Sequence, residues 1–222
     1  MSLSRETVKQ DIKYYKRDFW STENLKFSTP HYRMRKSAGI VNKIAQDRTC
    51  ELLDVGCGPA TLRRLIRDNI RYYGVDIAIH EPAPYLLEYD FLDRPISFED
   101  KSFDLILAQG VFEYVGAFQD QKFAEISRLL KADGRFVVSY VNFDHRATAI
   151  YWPYSNIQPL SEFRDALSAH FKIERHFPTS HNWNHSEPNR PYLQAVQLPM
   201  TVRVPVLSRY LAVEYFFICS RA

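Results

Sequence analysis

Asp54, Gly56 and Gly58 stand together in the stretch LLDVGCGPATLRRL, residues 52–65, and two further acids, Asp76 and Asp90, each close a later apolar run. Glycine opens backbone conformations closed to other residues, so the chain can turn sharply at 56 and 58 and a ligand can approach the main chain. Asp76 lies 20 residues beyond Gly56, about where an acid accepts the hydroxyls of a ribose. Asp90 follows one strand later and can accept from an exocyclic amine, while Phe91 beside it can cover an adenine face. Together these residues describe an adenosine site. The alternative is that Asp76 and Asp90 are turn acids of the ordinary kind.

A dinucleotide site wants Gly-x-Gly-x-x-Gly, with the pyrophosphate on a helix N-terminus. Here the spacing is Gly56-x-Gly58-x-Ala60, and Asp54 stands two residues before the first glycine. A carboxylate there repels a pyrophosphate and attracts a cationic amino group. That combination suits S-adenosylmethionine, and the missing third glycine argues against a nucleotide-dependent oxidoreductase.

The elements that must position these residues alternate along the chain. Leu52–Val55 reads as a buried strand of a parallel sheet, covered on both faces. Leu62, Leu65 and Ile66 have helical spacing and predict a helix from the glycines to about Asn69. Strands are expected at 72–75, 86–89, 103–108, 135–141, 171–177 and 213–220, and helices at 118–131 and 161–170. Pro82 and Pro84 predict a loop between the second and third strands. Ahead of the first strand, Val8, Ile12, Tyr15 and Phe19 share one helical face, and Thr29-Pro30 opens a second helix running to about Ala45 that buries Met34, Ala38, Val41 and Ala45. The pattern predicts an α/β fold: a Rossmann-like, doubly wound seven-stranded sheet, mostly parallel with an antiparallel last strand, and helices on both faces. We expect a single domain over 1–222, with a helical cap at 1–48, a cofactor-binding core at 49–145 and a C-terminal part at 146–222. The last part holds a proline-containing connection at 178–212, a length that tends to be functional.

Five segments taken in order, LLDVGCGPA (52–60), YYGVDI (72–77), EYDFLD (88–93), FDLILAQGVFEYV (103–115) and RLLKADGRFVVSYVNF (128–143), resemble the class I S-adenosylmethionine-dependent methyltransferases of the small-molecule type. The resemblance covers about 50–145. It implies that Gly56 and Gly58 pass under the methionine part of the cofactor and that Asp54 helps hold its amino end. It further implies that Asp76 holds the ribose, Ile77 packs on the adenine, and Asp90 and Phe91 read the adenine edge. Gln109 and Gly110 then approach the methionine moiety, and Tyr114 lies near the substrate mouth, with core packing as its alternative role. Many relatives have histidine where Tyr114 stands, and the proline-containing segment 78–85 departs from the usual helix.

Methyl transfer is an in-line displacement, and a base is needed only where the acceptor must lose a proton. Candidate catalytic residues are His145, Tyr114 and Glu113, with His181 and His185 as further bases. The implied acceptor is a small molecule, with oxygen the favoured atom, bound among Tyr14, Tyr15, Phe19, Trp20, residues 142–154 and the 178–205 connection. A non-catalytic or partner-activating protein that retains the fold is the alternative.

Length and composition, with 45% apolar and 25% charged residues, are those of a globular chain. A net charge of +3 is too small to argue for nucleic acid. Residues 1–48 carry 11 Lys/Arg against 5 Asp/Glu, which reads as a solvated helical face or, alternatively, as attraction for an anionic substrate. Three cysteines without metal-like spacing suit reduced thiols and predict no metal. No apolar run is long enough to span a bilayer and the N-terminus lacks a signal-peptide core, so a cytoplasmic location is expected. A homodimer is compatible with the sequence.

Overall fold

The computed structural model describes residues 17–142, 158–182, 197–198 and 212–222. Within them run four α-helices: α1 (Arg17–Glu23), α2 (Tyr32–Ala45), α3 (Gln119–Leu129) and α4 (Leu160–His170). The eight strands are β1 (Cys50–Val55), β2 (Ile70–Asp76), β3 (Leu86–Glu88), β4 (Phe103–Ala108), β5 (Leu130–Val141), β6 (Phe171–Asn182), β7 (Gln197–Leu198) and β8 (Ala212–Arg221). They form one sheet in the order β3-β2-β1-β4-β5-β8-β6-β7. The first five pair parallel, and β8 inserts antiparallel between β5 and β6. All seven expected strands are present, and the two-residue β7 extends the edge beside β6.

Strand period two explains why both faces are covered. Leu52, Leu105, Leu107, Val137 and Phe216 point to one side, where they pack with Ala38, Val41 and Ala45 of α2. Leu53, Ile106, Phe136, Val138 and Phe217 point to the other, against Phe123, Ile126 and Leu129 of α3 and Phe163 and Leu167 of α4. Each fully buried large side chain contributes roughly 1.5–3 kcal/mol through removal from water. The helix over 29–45 begins later than the Thr29-Pro30 signal suggested. His31 is its N-cap, its Nδ1 accepting from Met34 N at 3.4 Å.

The α-helix expected after the glycine corner does not form. Thr61–Arg64 makes a single 3-10 turn instead. The helical bonds it forgoes are replaced from α2, where the Asn42 side chain donates to Leu65 O (3.1 Å) and accepts from Arg67 N (3.0 Å). With backbone polar groups satisfied by a neighbouring side chain, the apolar triplet Leu62, Leu65 and Ile66 packs on α2 without a helix. At the other end of the core α3 stops at Leu129, and Leu130 starts the strand β5, so the helix is shorter than 118–131. Residues 78–85 form a loop, as their prolines require. Val8, Ile12, Tyr15, His145, His185 and most of the 178–212 connection lie outside the described residues.

Candidate active site

Parallel strands place all their carboxyl ends on one edge of the sheet, and the corner after β1, the end of β2 and the segments after β3 and β4 meet there. They surround a cavity of about 520 Å³. Trp20, Asn24, Phe27, His31, Arg33 and Met34, from the segment preceding β1, close its remaining side.

The corner itself is tightly specified. Gly56 has φ +73° and Gly58 φ +53°, and Ala60 also takes a left-handed conformation. The amides of Gly56 and Cys57 both donate to Val75 O, at 2.8 and 3.2 Å. A Cβ on Gly56 would overlap Val111 Cγ2, so residue 56 is glycine for two reasons, its φ and its neighbour. Asp54 lines the cavity with its carboxylate buried, and Tyr72 Oη donates to its Oδ2 at 2.7 Å. Burial raises the Asp54 pKa to about 7, the Tyr72 bond opposes the rise, and the charge of Asp76 adds to it. With no α-helix behind the glycines and a carboxylate beside them, the corner offers a pyrophosphate neither a helix dipole nor a cation. A cationic amine is its electrostatic complement.

Asp76 ends β2 and is buried in the cavity wall. Gly58 N donates to its Oδ2 at 2.8 Å, and Ala78 N and Asn24 Nδ2 donate to Oδ1 at 3.1 and 3.0 Å. Burial raises its pKa, and these donors oppose the rise. A carboxylate has about four acceptor sites, so the hydroxyls of a ribose would share Asp76 with the Asn24 amide. Ile77 and Phe91 line the same cavity. Phe91 is held edge-on to Phe112 (6.0 Å), and Lys122 Nζ lies 4.7 Å over its ring. Lys122 is buried and paired with Glu125 at 2.7 Å, and Glu125 in turn accepts from Ile96 N. Asp90 stands outside the lining of this cavity. Its Oδ1 accepts from Leu92 N (2.9 Å), so it turns the chain after β3. It borders a second cavity of about 340 Å³ with Arg17, Glu88, Asp93 and Arg94, and Ile77 and Tyr89 line both cavities.

The segment after β4 supplies the remaining polar groups. Ser37 Oγ donates to Gln109 Oε1 at 2.6 Å, a hydroxyl-to-oxygen separation that turns the amide nitrogen away from α2. Gln109 Nε2 is buried without a hydrogen-bond partner among the described residues. Gly110 has φ +67° and donates its amide to Ser139 Oγ at 3.0 Å. Glu113 lines the cavity at 8% exposure, and its Oε2 is also without a hydrogen-bond partner among the described residues. Burial raises the Glu113 pKa to about 8, and Glu214 of β8 adds to the rise. Backbone hydrogen bonds and the charge of Arg33 oppose it. Tyr114 lines the cavity with Trp20 edge-on to its ring at 5.4 Å. The cavity thus gathers Asp54, Gly56, Gly58, Asp76, Ile77, Phe91, Gln109, Gly110, Glu113 and Tyr114, and leaves Asp90 next door.

Sequence reasoning passed over Asn24, His31 and Arg33. Arg33 is the one Lys or Arg among the described cavity-lining residues, and it forms an ion pair with Glu214 at 3.4 Å. A signal was available. The first turn of α2 carries Arg33 and no acid, against the helix dipole, so its guanidinium needs a partner elsewhere in the fold.

These features fit an adenosyl group with an amino-acid tail. The glycine cradle, the acid after β2 and an amide donor after β4 that has no partner among the described residues border one cavity of ligand size. Comparison with known proteins agrees. Residues 53–138 match the family model of the methyltransferase domain. A malonyl-[acyl-carrier protein] O-methyltransferase from Calditerrivibrio nitroreducens is 27% identical over 138 residues, 58% of this chain and 54% of the relative, so the chain spans about half of that relative's length. Among solved structures, the fold is similar to a geranyl diphosphate C-methyltransferase from Streptomyces coelicolor, solved with Mg2+, geranyl diphosphate and S-adenosyl-L-homocysteine. The TM-score is 0.63 at 15% identity, covering 97% of this chain and 98% of that one. It is also similar to a SAM-dependent methyltransferase from Archaeoglobus fulgidus, with a TM-score of 0.63, 14% identity, and coverage of 91% and 100%. Residues 53–138 thus match a methyltransferase domain, and the fold of the chain is the one these S-adenosylmethionine-dependent enzymes share.

Proposed function

We propose that the chain acts as one methyltransferase domain that methylates a small-molecule acceptor on oxygen. Bound S-adenosylmethionine supplies an electrophilic sulfonium methyl group, and the chain supplies orientation and proton transfer. Asp54 holds the amino end of the cofactor, Gly56 and Gly58 let its tail lie on the backbone, and Asp76 takes the ribose. Ile77 and Phe91 enclose the adenine. Asp90 acts from the neighbouring cavity by shaping the turn that presents Phe91. Gln109 and Gly110 flank the methionine tail.

The observation that carries the acceptor half is Glu113. Its carboxyl is buried in the cavity wall with one oxygen uncommitted among the described residues, close enough to ionisation near neutral pH to take a proton from a hydroxyl. Trp20, Phe27 and Tyr114 give that region aromatic walls suited to a small organic molecule. The O-methyltransferase relative supports oxygen as the acceptor atom. Three free, buried cysteines support a reducing, cytoplasmic setting, and among the described residues no helix is long and apolar enough to cross a membrane. The test is transfer of labelled methyl from S-adenosylmethionine across a panel of hydroxyl, carboxyl and amine acceptors, with Glu113→Gln in parallel. Transfer to a hydroxyl, reduced about 10²–10⁴-fold in the variant, supports the reading. Transfer to amines alone, or rates indifferent to Glu113, contradicts it.

A further inference from the structure

Residues 17–28, α1 and the 3-10 turn Asn24–Ser28 that follows it, close one side of the cavity through Trp20, Asn24 and Phe27. This strap buries a single residue, and that residue is the polar Asn24. The Asn24 amide nitrogen donates to Asp76 Oδ1 at 3.0 Å and to Ala78 O at 3.3 Å. Its Cγ and Oδ1 stand 3.7 Å from where a Cβ on Gly58 would be, so the amide lies over the glycine corner. At the other end of the strap Arg17 donates to both oxygens of Glu88, at 2.9 and 3.1 Å. Glu88 in turn accepts from Ile79 N at 3.3 Å. Polar bonds to the turn after β2 thus pin the strap, in place of a buried apolar face.

The acceptor positions of Asp76 decide what Asn24 does. Of about four, Gly58 N takes one on Oδ2, and Ala78 N and Asn24 Nδ2 take two on Oδ1. A ribose brings two hydroxyl donors, one more than the carboxylate has left. Gly58 N and Ala78 N are main-chain donors fixed by the corner and the turn, whereas Asn24 is a side-chain donor on a strap that buries nothing else. Asn24 keeps the buried carboxylate hydrogen-bonded, at a position where an unsatisfied charge is costly. We infer that Asn24 is a placeholder in the ribose seat, displaced by the cofactor, so that cofactor binding unlatches the inner end of the strap. The inference rests on the proposed binding of an S-adenosyl cofactor. Because the strap also carries Trp20 and Phe27, unlatching couples the filling of the cofactor seat to the walls proposed for the acceptor.

The experiment is calorimetric titration of the full chain with S-adenosylhomocysteine and with its 2′-deoxy analogue, which brings one hydroxyl to Asp76 instead of two. A hydroxyl donated to a carboxylate free to accept it is worth roughly 10- to 100-fold in affinity. In the unaltered chain the exchange with Asn24 cancels most of that gain, so the two ligands should bind within about fivefold of one another. A wider gap overturns the inference. Asn24→Ala removes the competitor. It should bind S-adenosylhomocysteine about tenfold more tightly and leave the deoxy analogue within about twofold. Unchanged or weaker binding of S-adenosylhomocysteine by the variant, or the same gain for both ligands, overturns the placeholder. Should the variant not fold, the two ligands on the unaltered chain decide alone. Failure of the underlying reading looks different: the folded chain then binds neither ligand.

Discussion

Glu113→Gln should make the protein more stable at alkaline pH while slowing the methyl transfer we propose. The carboxyl is buried among Glu214 from β8 and Arg33 from α2, and its pKa is raised from 4.5 to about 8. Between those values the folded chain holds a proton that the unfolded chain releases, so stability falls as pH rises and levels off above about 8. At about 1.4 kcal/mol per pH unit, the whole interval amounts to roughly 5 kcal/mol. Glutamine has the same shape and does not titrate, so the variant escapes that penalty without opening a cavity. Urea denaturation at pH 5, 7 and 9 measures the effect. At pH 5 the two proteins should lie within about 1 kcal/mol of one another, and the variant should gain steadily on the parent as pH rises. A constant offset at all three values, or a parent that becomes the more stable protein at pH 9, refutes the assignment of a buried, proton-holding Glu113.

Asp54 gives a second pH dependence. Its pKa of about 7 means that its negative charge, which we propose partners the cofactor ammonium, is lost on acidification. Affinity for S-adenosylhomocysteine should therefore rise about tenfold between pH 6 and 8, and Asp54→Asn should flatten that slope in calorimetry. Gly56→Ala places a side chain at φ +73° and against Val111. The expected cost is about 3 kcal/mol by thermal or urea unfolding, partly relieved by adding Val111→Ala, and full recovery in the double variant would mean that backbone strain contributes nothing. Lys122→Ala leaves the Glu125 carboxylate buried without its partner. It should destabilise by about 3–5 kcal/mol, with Glu125→Gln restoring a large part, and a loss below 1 kcal/mol would contradict the buried pair.

What could be read along the chain was whatever is settled by local geometry. A strand that ends in Asp54 and turns on Gly56 and Gly58 needs no distant partner to be recognised, and the acid after β2 is placed by the strand alone. The seven main strands followed from apolar runs bounded by turns, because a sheet buried on both faces leaves that imprint. The missing helix after the corner was not legible, since Asn42, some 20 residues earlier, supplies the bonds that make a helix unnecessary there. Asp90 has the same local look as Asp76, and each accepts from the amide two residues on, but Asp76 is drawn inward by Gly58 and Asn24 as well. Arg33 and Asn24 join the site only through tertiary packing of the segment before β1. Their chemistry becomes visible only once Glu214 and Asp76 are found opposite them.

The central claim is that the cavity at the strand ends seats an S-adenosyl cofactor through Asp76 and the glycine corner. The measurement that bears on it most directly is calorimetric titration of the folded chain with S-adenosylhomocysteine, repeated with Asp76→Ala and with NAD as a competing ligand. The account predicts one site of micromolar affinity, abolished in the variant and indifferent to NAD. No heat of binding from the folded protein, or displacement by NAD, would contradict it.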